Sequence, residues 1–264
     1  TLNGTHNVDV SDSDGNNIPD YIDQVAAAFT HVYHQEINQM GYFRPPSDGW
    51  FPSNYDNGGS AAYDIYIRSI SANYYGYVMS EYNAQNTGNN EFSPGVTEIN
   101  AFTSYMAMRN NYSGFYSSNN DYGPTTELEA MQVTAAHEFF HAVQYGYDGR
   151  EKPWLLEATA TWIEEIVYDD INDCYQYMPS WFDSPHTSLD KTGGTHWYGS
   201  YIFFKYIDEH LGGPETIRLI FEKGVESTTG HHDLQPCIEG GDVEGVMASQ
   251  GVPDTPNPIS VHLG

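Results

Sequence analysis

The chain has 264 residues, with 9 Lys+Arg against 36 Asp+Glu and a formal net charge of −27 at pH 7. That balance excludes a general nucleic-acid binder, because neutralising phosphates needs clustered basic side chains, and it excludes docking on anionic lipid. With 39% hydrophobic and 15% aromatic residues there is ample surface to bury, so a folded protein is expected rather than a disordered one. At about 150 residues per domain, the length implies one to two domains.

No stretch reaches the roughly 18–20 apolar residues of a membrane span, and no signal peptide is visible at the start. The first residue is Thr1 rather than Met, which gives the expectation of a chain that begins after processing. Two cysteines, Cys174 and Cys237, are too few for a disulfide framework and read as two buried thiols or one bridge. The Tyr- and Asn-rich, Lys-poor composition points to a secreted, extracellular protein, where a bridge is the expectation.

In chain order, the first segment with chemical character is Ser11 to Asp23. Asp12, Asp14, Asn16, Asp20 and Asp23 fall at positions 1, 3, 5, 9 and 12 of an EF-hand register, with the Ile18 carbonyl at position 7. Such spacing wraps six oxygens around one hard cation, so Ca²⁺ is expected here. Two residues depart from the pattern. Asn17 stands where Gly makes the sharp turn, although Asn tolerates the left-handed region, and Asp23 replaces a longer Glu. The competing reading is a solvated acidic turn before a helix with Pro19 in its first turn.

That helix is predicted from Pro19 to Met40, with Ile22, Val25, Ala26, Phe29, Val32 and Tyr33 at three- and four-residue steps and Gly41 as its stop. Loop extends from there to about residue 61. Alternation then predicts strands at Ala62 to Ile70, Tyr74 to Met79 and Val96 to Tyr105, separated by Asn-, Ser- and Gly-rich loops at Asn83 to Asn90 and Asn110 to Gly123. The second half is helical: Thr125 or Thr126 to Tyr145, Trp154 to Tyr168, Trp197 to Leu211 and Pro214 to Val225, with an irregular tail after Thr228. Strands first and helices after predict an α+β fold.

Within the helix capped at Thr125 or Thr126 lies His137-Glu138-Phe139-Phe140-His141. Histidines at i and i+4 project from one face at a separation a single Zn²⁺ can bridge. Glu138 stands beside the ion, placed to take a proton from a zinc-bound water. An extended third-histidine pattern would need Gly and His at the positions held by Gln144 and Tyr147, so it fails. Glu157 is the better third ligand: it comes after His141 and residues 142–156, enough for a turn and a returning helix, and amid Leu, Ala and Trp its carboxylate would be a buried orphan without a cation.

His137-Glu138-Phe139-Phe140-His141 followed by Trp154-Leu155-Leu156-Glu157-Ala158 resembles the gluzincin group of zinc metallopeptidases. Together with the Asp12–Asp23 loop, Ala142-Val143-Gln144-Tyr145, the Glu157 to Trp162 stretch and Tyr198-Gly199-Ser200-Tyr201, it resembles more closely a family of secreted bacterial metalloproteases. The resemblance covers about residues 8 to 225. It implies His137, His141 and Glu157 as zinc ligands and Glu138 as general base. Thermolysin-type enzymes carry an Asp four residues past the ligand Glu as partner to a histidine. Here that position is Thr161, which leaves the partner open. The substrate motif typical of aminopeptidases is absent before His137. By position, Tyr198 is the expected oxyanion donor and His196 the reserve.

Other candidates read as structural. Glu164 and Glu165, seven and eight residues past Glu157, are expected on a solvated face, and His231-His232 in a surface loop. Asp121, Asp148, Asp169 and Asp170 have no spacing that specifies a calcium site, and Ser200 lacks the context of a serine nucleophile. The expected architecture is therefore an α+β, zincin-like (gluzincin) fold with a small mixed sheet and a mainly helical C-terminal half, divided at residues 1–124 and 125–264. The expected function is a secreted zinc endopeptidase acting on a peptide or protein substrate. Its rivals are a non-catalytic surface binding module with a structural metal, and hydrolysis of a non-peptide carbonyl.

Overall fold

Thr126 starts the element around which the fold is organised. Its side chain accepts a hydrogen bond from the Glu129 backbone N at 3.2 Å, while Glu129 Oε2 accepts from the backbone N and hydroxyl of Thr125 at 2.6 and 2.7 Å. Two otherwise orphaned donors are thus satisfied at the helix start. The helix, α2, runs Glu127–Asp148 and is apolar on most of its circumference, so it can exist only with protein around it.

In a computed structural model, residues 7–51, 58–71, 73–84, 98–117 and 122–225 are described. Asp121, His231, His232, Cys237 and the tail after Thr228 lie outside them, as do residues 85–90 of one predicted loop and the first two residues of the Val96 to Tyr105 strand. The protein is a mixed α+β fold. The first helix, α1 (Asp20–Tyr33), passes directly into a π-helical turn, His34–Gln39. Three strands come next, β1 (Ile65–Arg68), β2 (Gly76–Asn83) and β3 (Phe102–Arg109), in the order β1-β3-β2. β1 runs parallel to β3, with Ile65 opposite Met106, and β2 runs antiparallel, with Gly76 opposite Met108. The mixed sheet expected from the sequence is present, with β3 buried at its centre.

After α2 the chain turns at Gly149, and Pro153 opens α3 (Pro153–Val167), which returns against α2. A 3-10 turn (Asp173–Tyr177) and α4 (Met178–Phe182) come after it, neither of them foreseen. The predicted Trp197 to Leu211 helix is broken into α5 (His196–Gly199) and α6 (Tyr201–His210) at Ser200, and α7 spans Pro214–Val225 as predicted. A core cluster draws Val32 from α1, Met106 and Met108 from β3, Phe140 from α2, Trp162 from α3, Phe204 from α6 and Phe221 from α7. No described helix is long and apolar enough to cross a membrane.

Candidate metal centre

α2 and α3 bring three of the predicted residues together. His137 Nε2 and His141 Nε2 lie 3.0 Å apart, and Glu157 Oε2 is 3.3 Å from the first and 3.7 Å from the second. One ligand atom from each lies within 4.8 Å of the others. The four-residue step on α2 aims both rings from one face, and the antiparallel return places the first turns of α3 opposite them.

The outer nitrogens decide which atoms are free to bind. Gln144 Nε2 donates to Leu156 O and Thr159 Oγ1, both at 2.9 Å, and Thr159 Oγ1 itself donates to Leu155 O at 2.7 Å. The Gln144 amide is therefore oriented with Oε1 towards His141 Nδ1 at 2.8 Å, and Nδ1 must carry the proton. His137 Nδ1 is 2.6 Å from Glu164 Oε1, a carboxylate that only accepts when ionised, so the same tautomer results. Both Nε2 lone pairs then converge with a carboxylate oxygen. Three electron-rich atoms so close require a positive charge between them, and protons and a metal ion compete for that role.

The acid–base directions express the same demand. Burial lowers the His137 pKa, but the hydrogen bonds with Glu157 and Glu164 outweigh it and raise it well above an ordinary imidazole. His141 is likewise raised against burial, first by the Glu157 charge. Burial raises Glu157, yet the His141 charge and the bonds from both rings hold it far below the usual carboxylate range.

Glu164 overturns the expectation of a solvated face. It is 6% exposed and bonded to His137, while burial, opposed by that bond, pushes its pKa up to about 7. Glu165 is also buried, accepting from Cys174 Sγ at 3.0 Å and pairing with Lys205 Nζ at 3.1 Å. The signal was available in the spacing: seven residues is two helical turns, so Glu164 must share the face of Glu157. Thr161, fully buried with no hydrogen-bond partner for its hydroxyl, does not reach a histidine, and Glu164 fills the place its identity left open.

Glu138 is 7% exposed and lines a cleft of ≈ 260 Å³ with His137, Glu164, Asp173, Tyr177 and Tyr198. Burial raises its pKa, with His137 and His141 opposing. The facing wall is the start of β2, where Gly76 approaches so closely that a Cβ would sit 2.9 Å from Glu138 Cγ and 3.0 Å from Thr134 Cγ2. Tyr198 lies in the cleft, its ring centroid 6.2 Å from that of His137, and burial followed by the Glu157 charge raises its hydroxyl pKa. His196 is placed elsewhere: its ring stacks on Trp181 at 4.7 Å and its Nε2 is 3.0 Å from Ser188 O. Asp173, which sequence reasoning passed over, is 8% exposed, and burial raises its pKa to about 6. It comes directly after Asn172, held in the left-handed region at φ 58°, a turn with no periodic signature.

No family model, curated protein or solved structure matches the chain. The arrangement of side chains therefore carries the functional reading by itself.

The remaining candidates fall outside the centre. In the Asp12–Asp23 loop, Asp12 Oδ1 accepts from the backbone N of Gly15 and Asn16 and Oδ2 from that of Asn17 at 2.9 Å, with Asn17 at φ 69° making the sharp turn. Asp12, Asp14 and Asp20 present oxygens within 4.8 Å of one another, and Asn16 Nδ2 donates to Asp23 Oδ2 at 3.0 Å. Ile18 is fixed in the loop by its N–H on Asn16 Oδ1 at 2.6 Å. Asp148 accepts from Asn100 Nδ2 and the Arg150 backbone N, closing the end of α2, and Asp169 and Asp170 are exposed. Ser200 is buried, its hydroxyl donating to His196 O.

Proposed function

We propose that the protein is a secreted zinc metallopeptidase with a zincin-like fold of the gluzincin type, cleaving peptide bonds within a chain. One observation carries this reading: two imidazoles whose outer nitrogens are pinned as donors turn both inner lone pairs onto one carboxylate, with a free carboxylate, Glu138, beside them on a cleft. His137, His141 and Glu157 form the two-histidine, one-glutamate donor set that suits zinc. When bound there, zinc would lower the pKa of water towards neutrality and polarise a carbonyl.

Glu138 takes a proton from the attacking water as the new C–O bond forms. Its place in the cleft wall, 7% exposed, suits a base that must later return the proton as an acid. It then passes that proton to the departing amine as the C–N bond breaks. The Tyr198 hydroxyl, protonated at neutral pH, donates a hydrogen bond to the oxygen that gathers charge. Glu164 and Gln144 hold the two rings in register. The Lys-poor, Tyr- and Asn-rich composition supports secretion, and the Asp12–Asp23 loop supports a calcium ion that ties the chain before α1.

The test is cleavage of an unfolded protein by wild type and Glu138→Gln, each assayed for bound zinc. The variant keeps every proposed ligand and is expected to hold stoichiometric zinc while losing about 10²–10⁴-fold in rate, the usual share of general acid–base catalysis. If both proteins hold zinc and neither cuts, a binding module with a structural metal takes precedence.

A further inference from the structure

The cleft beside Glu138 has a strongly one-sided lining. None of the described residues that line it is Lys or Arg, and Arg109 nearby is held on the Tyr74 carbonyl at 2.8 Å, whereas Glu164 and Asp173 stand in its wall, 6% and 8% exposed. Glu164 spends Oε1 on His137, but its Oε2 is buried without a hydrogen-bond partner. A buried acceptor left unmade is costly, so that oxygen calls for a donor from outside the chain. Four tyrosines share the wall with Asn73, Val133 and Thr134. Tyr177 and Tyr198 stack on one another with centroids 4.9 Å apart, and Tyr74 and Tyr75 line the cleft with 58% and 37% of their surface exposed.

Carboxylates in a cleft lined by tyrosines match a group with a positive head and an apolar stem. The rings pack on methylenes and attract the charge through their faces, and the head donates to the carboxylate oxygens. A hydrated metal cation would gain nothing from those rings. We propose that this pocket is the specificity subsite of the enzyme and receives a Lys or Arg side chain next to the scissile bond, an assignment that rests on the peptidase reading of the zinc centre. The net charge of −27 would further draw basic segments towards the cleft.

Asp173 is the residue to change, because Glu164 also positions His137. Blocked peptides (acetylated and amidated) differing only in one residue, Lys, Arg, norleucine or Glu, are digested with the zinc-loaded full chain. Cuts are mapped by mass spectrometry. Cleavage is expected beside Lys or Arg, with kcat/KM about tenfold or more above norleucine, and that ratio should fall severalfold in Asp173→Asn, which leaves Glu164 and the rings in place. Equal rates for Lys and norleucine would overturn the subsite while leaving the peptidase reading intact.

A second arm does not depend on turnover. NMR titration of zinc-loaded Glu138→Gln compares acetyl-lysine methylamide with acetyl-norleucine methylamide. Tighter binding of the lysine compound, weakened when Asp173→Asn is added, supports the subsite even if no peptide is cut, and equal binding overturns it. If norleucine methylamide with a free α-amine binds as tightly as the acetyl-lysine compound, the pocket reads a chain N-terminus, and the side-chain assignment falls.

Discussion

Glu164 and His137 form the shortest contact of the centre that joins two elements, at 2.6 Å. A ring nitrogen donating to a carboxylate is fixed in tautomer and angle and becomes a better donor of its other lone pair. Replacing Glu164 with Leu is therefore expected to weaken zinc binding by about 10–100-fold, the usual effect of removing such a partner. Competition with a chromophoric chelator measures this, and an unchanged affinity would remove Glu164 from the role. The pairing could have been read two helical turns past Glu157. What could not be read is which histidine Glu164 reaches once α3 has returned against α2. Gln144 illustrates the opposite case, since its task needs an acceptor that neutral polar side chains on many surfaces could also offer.

At the scale of elements, β2 fits against α2 only because residue 76 lacks a side chain. Gly76→Ala would place a carbon 2.9 Å from Glu138 Cγ and 3.2 Å from Ala107 O of the neighbouring strand. The expected result is a displaced base and a kcat/KM lower by about 10²-fold with zinc content unchanged, since small misplacements of reacting groups cost that much. Wild-type activity in the variant would show that the strand can shift freely. The loop before α1 gives a second prediction. In zinc-replete protein, calcium at a hundredfold excess over its Kd is expected to add about 2.7 kcal/mol, a rise in Tm of about 5–10 °C. Asp12→Ala should abolish the shift, and a Tm indifferent to calcium in wild type would leave the loop as an acidic turn. The left-handed Asn17 was legible, because the turn it makes is set within one short segment.

For the molecule as a whole, the main liability is a carboxyl sealed from water. Glu36, in the π-helical turn, has no accessible surface and no hydrogen-bond partner for either oxygen. Burial raises its pKa well above the ordinary range, only partly opposed by the His137 charge. Below the unfolded pKa, about 4.3, the group is neutral in both states and costs nothing through ionisation. As pH rises towards the folded value, the unfolded chain gives up a proton the folded chain retains, so stability falls with rising pH. Glu36→Gln should remove that slope, with melting curves that converge near pH 4–5 and a Tm several degrees above wild type at pH 8, at about 2–4 °C per kcal/mol. Parallel pH dependences in the two proteins would show that Glu36 finds a partner.

The sequence by itself determined which side chains of α2 share one face at this protein's centre. His137, Glu138 and His141 are fixed relative to one another by helical geometry, and the α+β class and most elements result from local periodicity and punctuation. Only the tertiary structure decided which distant groups complete the centre. Glu164 rather than Thr161 meets His137, Tyr198 rather than His196 faces the cleft, and Asp173 arrives from a 3-10 turn that leaves no pattern in the sequence. The physical reason is range. Hydrogen bonding and side-chain spacing along one helix are set by a few neighbouring residues. The identity of a partner across a cleft depends on how two helices and a sheet pack, and that is settled by the core they share.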